Sequence, residues 1–262
     1  MKAPQSIIQT QGIVVSVTDY AEKDRVLTIL TKEMGLISVY ARGVRQYKSR
    51  QMSASSLFCY GKFSLIEKKS MYNLKEAEIE ETFYDLRLSV ERAALAGYVC
   101  EVICHTGTEQ PDEELLRLTL NTLYAISNGL YPLPHIKAAF EFRVASLLGF
   151  MPDVTACSHC GTSEGDFVLH IPRGQLICDA CRHSLQERQA AEEEGGAGEI
   201  ILLTTGILHA IGYTTHTTVD RLFAFRCDEG ESHLFYHAAE AYLGWHTDKK
   251  FASLDFYHQV AD

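Results

Sequence analysis

Apolar and polar residues alternate in short runs over roughly the first 80 residues of the chain. In one run Phe63 and Leu65 alternate with Lys62 and Ser64, which is the period of two expected of a half-buried β-strand. The pattern predicts strands at residues 7–17, 25–30, 36–41, 57–66 and 72–79, with a turn at 33–35. Five short strands with glycine or polar breaks indicate a closed antiparallel barrel or a sandwich, and their number fits the five-stranded OB-fold barrel.

Beyond residue 85 the apolar positions recur every three to four residues, which is the helical period. Helices are predicted at residues 86–104, from Pro111 to residue 128, and from Pro134 to Gly149, followed by 202–211, 219–225 and 233–245. The chain is therefore predicted to be an α+β multidomain protein. An OB-fold domain covers residues 1–81, and a helical domain covers 82–262 with an insertion at about 153–186 and a flexible linker at about 189–198.

The insertion contains two cysteine pairs with the spacing C-x2-C-x17-C-x2-C, namely Cys157, Cys160, Cys178 and Cys181. This spacing predicts a four-cysteine zinc ribbon, and four protein ligands close the site, so the one Zn²⁺ is expected to be structural. Gly161 follows the first pair, where a knuckle turn requires a positive φ. Two disulfides are the alternative, which an intracellular chain disfavours. A second alternative is that His159 or His183 replaces one of the cysteines.

The remaining candidates for chemistry have simpler interpretations. Cys100 and Cys104 lie among apolar helix residues and are predicted to be packed, as are Cys59 and Cys227. A helix face carries His233, His237 and Glu240, but the H-E-x-x-H motif is missing, so a metal-dependent hydrolase is only an alternative to a surface or packed face. The chain also lacks a phosphate-binding P-loop and a G-x-S-x-G elbow. The sequence therefore predicts a protein that is not an enzyme.

Charge divides the chain. The net charge is −10, yet residues 1–75 hold twelve basic and five acidic residues, which leaves +7 there and −17 in the remainder. Such an asymmetry favours modules with different partners, although lysine-rich edge strands that suppress aggregation are an alternative explanation. No apolar run reaches the ~18 residues of a membrane span, and the first residues lack a secretory apolar region. We therefore expect a cytoplasmic protein that makes no contact with membranes.

The basic segment after the third predicted strand is the strongest candidate for nucleic-acid binding. Residues 40–51 hold four cations and two tyrosines, and no acid occurs from residue 36 to residue 66. Cations neutralise phosphates, and tyrosines stack on unpaired bases. The predicted DNA-binding residues are Arg42, Arg45, Tyr47, Lys48, Arg50, Lys62, Lys68 and Lys69, with Lys75 nearby. A loop that is merely solvated is the alternative, and a DNA site at Arg173 and Arg182 of the cysteine module is another.

These residues together resemble the RecO family of bacterial DNA repair proteins, which are recombination mediators. The resemblance covers nearly all 262 residues and rests on the order and spacing of several pieces. They are residues 12–15, 20–24, 26–35, 41–45, 48–50, 147–152, the first cysteine pair with Gly161, and 253–257. One departure is that Gln46 and Tyr47 stand where loops of the family are often richer in arginine and lysine.

The resemblance implies an N-terminal OB-fold, a helical domain, a zinc module and DNA binding without enzymatic turnover. It implies annealing of complementary single strands, binding to single- and double-stranded DNA, contact with the acidic C-terminal tail of the single-strand-binding protein, and a complex with RecR that helps to load RecA. Such a protein would work at the nucleoid. The sequence offers four cations in its acidic part for the acidic tail: Arg117, Lys137, Arg143 and Arg226. A competing class is a zinc-ribbon and OB-fold adaptor of transcription or translation that binds RNA or a polymerase.

Overall fold

The computed structural model describes residues 6–68, 71–189, 199–228 and 230–261. Contacts group the chain into two compact units, Met1–Leu130 with Phe251–Asp262, and Tyr131–Lys250. The predicted linker at residues 189–198 lies outside the described residues except for Gln189, which ends a helix. The predicted domain boundary at residue 81 coincides with the end of the fifth strand, and the division into functional domains at that point stays a prediction.

Five strands form a closed barrel at the start of the first unit. Strand β1 is Ile7–Tyr20, β2 is Asp24–Thr31, β3 is Gly35–Ala41, β4 is Tyr60–Lys68 and β5 is Met71–Glu81. The order around the barrel is β1-β2-β3-β5-β4, with β4 returning to β1 and with β3 parallel to β5. The predicted five-stranded OB-like barrel is confirmed, and the sandwich alternative is wrong.

Apolar and polar residues alternate along the strands, and the inward-facing apolar residues form the barrel core. Inward-facing residues from β1 to β4, such as Val14, Leu27, Val39 and Phe63, are almost fully buried. Closure also requires strands to bend and approach closely, and Gly12 permits this because a Cβ there would stand 2.6 Å from the Leu30 carbonyl oxygen. The early strand boundaries follow the prediction closely, whereas residues 57–59 precede β4 and belong to the incoming loop.

Helices complete the first unit. A 3₁₀ turn at Tyr84–Leu88 leads into α1, Val90–Thr106, and α2, Glu113–Asn128. Asp112 caps α2 through a 2.8 Å bond that its carboxylate accepts from the Leu115 amide, and Gly129 ends it with φ near 60°. The last helix, α7, is Ala252–Ala261, and it packs on α1. The helical period did not predict α7.

The second unit combines helices with a small sheet. Helix α3 is Leu133–Leu147, α4 is Asp179–Gln189, α5 is Thr205–His216 and α6 is Ser232–Thr247. The sheet has the order β6-β8-β7-β9, where β6 is Asp153–Cys157, β7 is Phe167–His170, β8 is Gln175–Cys178 and β9 is Ile200–Leu203. Its inward residues pack under α5 and α6.

Two predicted helices are wrong in part. Residues 202–203 belong to β9, because Ile201 and Leu203 alternate inward with exposed neighbours, and α5 begins only at Thr205 after the Thr204 cap. Residues 219–225 form only a 3₁₀ turn at Val219–Arg221. Among the described residues, no helix combines the length and the apolar character needed to cross a membrane.

Candidate nucleic-acid interface and cysteine cluster

The loop between β3 and β4, residues 42–59, is called the basic loop below. Its apolar members Val44, Ala54 and Cys59 are almost fully buried and belong to the barrel core. Its return is fixed on β1, because the Phe58 amide donates to the Val14 carbonyl at 3.0 Å and the Val14 amide donates to the Cys59 carbonyl at 2.9 Å. The loop is therefore amphipathic. Its apolar side chains cover one end of the barrel, and it is not a detached polar segment.

Asp24 fixes the base of the basic loop to the barrel. Its carboxylate accepts a 2.6 Å bond from the Gly43 amide and a second bond from the Tyr40 hydroxyl. These two hydrogen bonds, with the Tyr40 bond as the larger cause, hold the pKa of Asp24 below its usual value, while the pKa of Tyr40 is raised. Gly43 has φ of 68°, a left-handed conformation that glycine adopts without cost.

The predicted DNA-binding residues of the basic loop lie at the surface. Arg42, Tyr47, Lys48 and Arg50 are all exposed, and Tyr47 is 96 % exposed. Helical turns such as Ser49 N–H to the Gln46 carbonyl at 2.8 Å keep this part of the loop compact. The loop consequently presents cations and a tyrosine together on its outer side, while its apolar side chains enter the core.

Arg45 has a different environment from the other loop cations. Its Nη2 lies 3.2 Å from Asp19 Oδ2, and its amide donates to the Lys23 carbonyl at 3.0 Å. Asp19 also pairs with Arg25 at 3.1 Å. These contacts tie the basic loop to the β1–β2 turn, so Arg45 fixes the loop in place and shares its charge with an acid.

The predicted lysines that the structure describes outside the loop, Lys62 and Lys68, lie near opposite ends of β4. Lys62 lies near the start of β4, where its Nζ is 3.3 Å from Glu80 Oε1. The groove beside it, of about 630 Å³, is also lined by Glu33, Glu76 and Glu78. Lys68 ends β4 and is exposed, six residues from Lys62 and therefore about 20 Å away along the strand. Lys69 lies outside the described residues.

The acids of β5 change the charge balance of the barrel. Residues 1–75 carry +7, but Glu76, Glu78, Glu80 and Glu81 follow at once on β5 and reduce the charge of residues 1–81 to +3. Positive charge is therefore concentrated on the basic loop, while the β1–β4–β5 face is acidic. A polyanion would meet favourable charge at the loop rather than around the whole barrel.

The four predicted cysteine ligands meet in the second unit. Their Sγ atoms all lie within 4.8 Å of one another, and Cys160 Sγ is 3.6 Å from Cys178 Sγ. A tetrahedral ion with Zn–S bonds of about 2.3 Å holds its sulfurs about 3.8 Å apart. Gly161 has φ of 74° as predicted, and the second pair lies where β8 passes into the first turn of α4. The cluster can hold a metal ion.

Backbone amides lower the pKa of one thiol in the cluster, and neighbouring sulfurs raise the pKa of another. Burial raises the pKa of Cys157, but amides of Cys178, Cys160 and His159 outweigh it and leave a value of about 6. The neighbouring sulfurs raise the pKa of Cys181 to about 12. All eight cysteines are free of disulfides in this structure. His159 and His183 are exposed and outside the cluster, and His183 lies 3.3 Å from Asp179.

Several other candidates have structural partners. Lys137 is buried against Glu141 and Glu240, and Arg143 is buried and donates to the carbonyls of Thr215 and Thr217 at 2.7 Å. In the described ranges the cysteines form the one metal-capable cluster, so His233, His237 and Glu240 do not meet as a metal site. Arg182 is bonded to Asp179. Arg173, Arg117 and Arg226 have exposed positions at the surface.

Tyr20 is a surface aromatic residue that no sequence pattern indicated as a binding residue. It ends β1, it is 57 % exposed, and its ring meets the Tyr40 ring edge-on with centroids 6.0 Å apart. The available signal was its place at the end of a strand directly before the β1–β2 turn, beside which the basic loop leaves β3. The β1–β2 and β2–β3 pairings place this turn and the start of the basic loop at the same end, because Arg25 pairs with Asp19 on one side and with Ala41 on the other.

Fold and site together define an OB-like barrel protein whose helical part carries a four-cysteine cluster. Family models described as the N-terminal and C-terminal regions of recombination protein O match residues 4–83 and 87–255. A protein of Acetivibrio thermocellus named DNA repair protein RecO is 30 % identical over 251 residues, 95 % of each chain. A protein of the same name from Bacillus pumilus is 33 % identical over 177 residues, 67 % of this chain and 68 % of its own. The chain belongs to the RecO family of DNA repair proteins.

Proposed function

We propose that this protein is a recombination mediator that binds DNA without enzymatic turnover. It binds and anneals complementary single strands and helps to load the recombinase RecA on strands coated by single-strand-binding protein. The observation that carries the proposal is the basic loop, in which Arg42, Lys48, Arg50 and Tyr47 are all exposed while Val44 and Ala54 anchor the loop in the core. Membership of a DNA repair family supports the same ligand.

Annealing follows from where the charge is placed. Two DNA strands repel each other as polyanions, and cations that neutralise phosphates reduce this repulsion and release counterions. Contacts to the backbone leave the base edges of the strand available for pairing with the second strand. A compact cationic loop on a rigid barrel therefore suits a protein that holds one or two strands, whether single or duplex, at the nucleoid.

The protein partners are proposed from the family and from charge. RecR and the acidic C-terminal tail of single-strand-binding protein are the expected partners, and an acidic tail requires an exposed cation in the otherwise acidic remainder of the chain. Arg117 and Arg226 are exposed and suit this role. Lys137 and Arg143 are buried with structural partners, which makes them poor candidates for a peptide that arrives from solvent.

Charge reversal in the basic loop tests the proposal. The variant Arg42→Glu, Lys48→Glu and Arg50→Glu should lose at least tenfold in affinity for single-stranded DNA and show a flatter salt dependence, measured by fluorescence anisotropy at several salt concentrations. Arg45 is excluded because it anchors the loop on Asp19. The matched control is the reversal of Arg221, Lys249 and Lys250, three cations of the second unit that are outside the predicted DNA contacts. Equal losses in both variants would contradict a site at the loop.

The same titrations distinguish a recombination mediator from the competing class of protein. An adaptor of transcription or translation would prefer structured RNA and would not anneal strands. We expect tighter binding to single-stranded DNA and faster annealing of strands coated by the cognate single-strand-binding protein than of strands coated by a form that lacks the acidic tail. A preference for RNA together with no annealing would favour the adaptor.

We propose further that Cys157, Cys160, Cys178 and Cys181 hold one structural Zn²⁺. The close sulfurs, the amide of Cys178 that donates to Cys157 Sγ at 3.3 Å, and the two-plus-two spacing support it. Bound zinc would link the β6–β8 region to α4 as a closed four-thiolate site. Metal analysis of the purified chain should give about one zinc per chain and none after Cys160→Ser with Cys181→Ser. Full zinc content in that variant would contradict these ligands.

A further inference from the structure

Tyr20 stands at the end of the barrel that carries the basic loop. It is the last residue of β1, and its ladder partner is Asp24, the first residue of β2. Asp24 binds the Gly43 amide, and Arg45 donates from its Nη1 to the Ala21 carbonyl at 3.4 Å. Both contacts bring the β1–β2 turn and the start of the basic loop together, so Tyr20 lies beside the first residues of the loop although it precedes them by more than twenty residues in sequence.

The ring of Tyr20 is exposed and yet held. More than half of the residue is accessible, and its ring packs edge-on against Tyr40 with an interplanar angle of 79°. The Tyr40 ring is fixed in turn, because its hydroxyl donates to the Asp24 carboxylate. An edge-to-face pair leaves one ring with a free face and restricts its rotation, so a planar ligand would find a preformed surface.

We propose that Tyr20 is a stacking platform for an unpaired base of the strand whose phosphates contact the basic loop. This inference rests on the proposed function and deepens it, since it assigns the selection of single strands to a residue outside the loop. Cations contact phosphates of single strands and duplexes alike, whereas a stacking ring requires a base with a free face. Tyr20 thus adds affinity for single strands and none for duplexes.

The position of Tyr20 also distinguishes it from Tyr47. Tyr47 is 96 % exposed on the loop and has no ring partner among the described aromatic contacts, so binding must first order its side chain. Tyr20 is already oriented by Tyr40 and by the tight β1–β2 turn, where Ala21 has φ of 51°. A preformed platform loses less conformational entropy on binding.

Substitution at Tyr20 tests the inference through the difference between two DNA forms. We expect Tyr20→Ala to weaken binding to a single-stranded oligonucleotide about fivefold to a hundredfold and to leave duplex binding within about twofold, by anisotropy. Tyr20→Phe should retain the affinity, and Tyr20→Leu, which keeps apolar bulk without a ring, should lose it. Tyr124→Ala, at a 53 % exposed tyrosine of α2, is the matched control and should change neither.

A second measurement keeps the test independent of folding. A single strand whose bases are removed at successive abasic sites should bind the wild-type chain more weakly, while Tyr20→Ala should show a smaller difference in affinity between intact and abasic strands. If Tyr20→Ala weakens duplex and single strand alike, or if the abasic strand still discriminates the two proteins, the platform is wrong. If charge reversal in the basic loop weakens binding and Tyr20→Ala does not, only the stacking role of Tyr20 is contradicted. If neither change affects binding, the proposed DNA site is contradicted as well.

Discussion

Lys137 and Glu141 face each other on one turn of α3 with almost no exposure, at 5 % and 0 % of their side chains. The Lys137 Nζ lies 2.9 Å from Glu141 and 2.6 Å from Glu240. Burial alone would lower the pKa of Lys137, but the two carboxylates outweigh it and raise the pKa, so the ammonium stays charged. The sequence offered this lysine as a contact for an acidic partner, and its side chain is instead used inside the second unit.

Removal of this buried cation should be costly. Lys137→Met leaves the carboxylate of Glu141 buried without its cation, so we expect the free energy of unfolding to fall by about 3–5 kcal/mol. Denaturant unfolding followed by circular dichroism measures the change. Lys137→Met combined with Glu141→Gln should recover a large part of the loss, and Lys48→Met on the exposed loop should cost little. A single variant as stable as the Lys48 control would show that the charge cluster contributes nothing.

His135 makes the second unit sensitive to mild acid. Burial lowers its pKa, outweighing the opposing effect of the bond from its Nε2 to the Phe223 carbonyl at 3.1 Å, which requires the Nε2–H tautomer. Because the folded pKa lies below the unfolded value near 6.5, the unfolded chain binds the extra proton first. The stabilisation is complete above about pH 6.5 and is lost as pH falls through the folded pKa.

We therefore expect the free energy of unfolding to decrease between pH 7 and pH 5, with a smaller slope for His135→Gln. Urea denaturation at a series of pH values measures both slopes. His170 and His246 also have lowered pKa values because of burial, so part of the slope should remain. An unchanged slope in His135→Gln would mean that His135 does not protonate on unfolding in this range.

At the scale of elements, the basic loop shows how apolar residues place polar ones. Val44, Ala54 and Cys59 enter the core, and the contacts of Asp24 and Arg45 tie the start of the loop to the β1–β2 turn. The exposed cations are therefore displayed by a fixed loop. Tertiary contacts also decide the conformation of β9. Its four apolar residues stand before a helix and have no period of their own, so only pairing with β7 makes them a strand.

The Asp24 anchor can be tested against simple electrostatics. Asp24→Ala removes an acid beside the proposed DNA site, so charge alone predicts tighter binding. We expect the opposite, a severalfold weaker affinity for single-stranded DNA together with faster amide hydrogen exchange at Gly43 and Arg45, because the loop loses its hydrogen bonds. Glu22→Ala removes an acid from the same turn and is the matched control, for which we expect slightly tighter binding. Tighter binding in both variants would contradict the anchor.

At the scale of the whole molecule, the basic loop and the cysteine cluster belong to different units. The basic loop lies in the first unit, and the cysteine cluster lies in the second, where it joins the end of β6 to β8 and the start of α4. A structural metal stabilises the elements that supply its ligands, since free energy of binding becomes free energy of folding. The effect of metal loss should therefore be confined to part of the chain.

Zinc removal is expected to act on the second unit first. Chelation should greatly accelerate hydrogen exchange in β6, β8 and the start of α4, while the amides of β1–β5 keep their protection. Exchange followed by mass spectrometry compares the same chain before and after treatment. Restoration of protection by added zinc, and its absence in Cys160→Ser with Cys181→Ser, is the control. Equal acceleration in the barrel would show that the metal stabilises the whole chain.

The sequence by itself determined the five strands, the main helices, the cysteine pairs and the basic loop. These depend on periodicity, spacing and local composition, which neighbouring residues express directly. Tertiary structure alone decided that Lys62 meets Glu80, that Arg45 meets Asp19 and that Lys137 is buried, since each pair joins residues distant in sequence. It also placed Tyr20 beside the start of the basic loop. Net charge is additive along a chain, but a binding surface depends on which side chains closure of the barrel brings together.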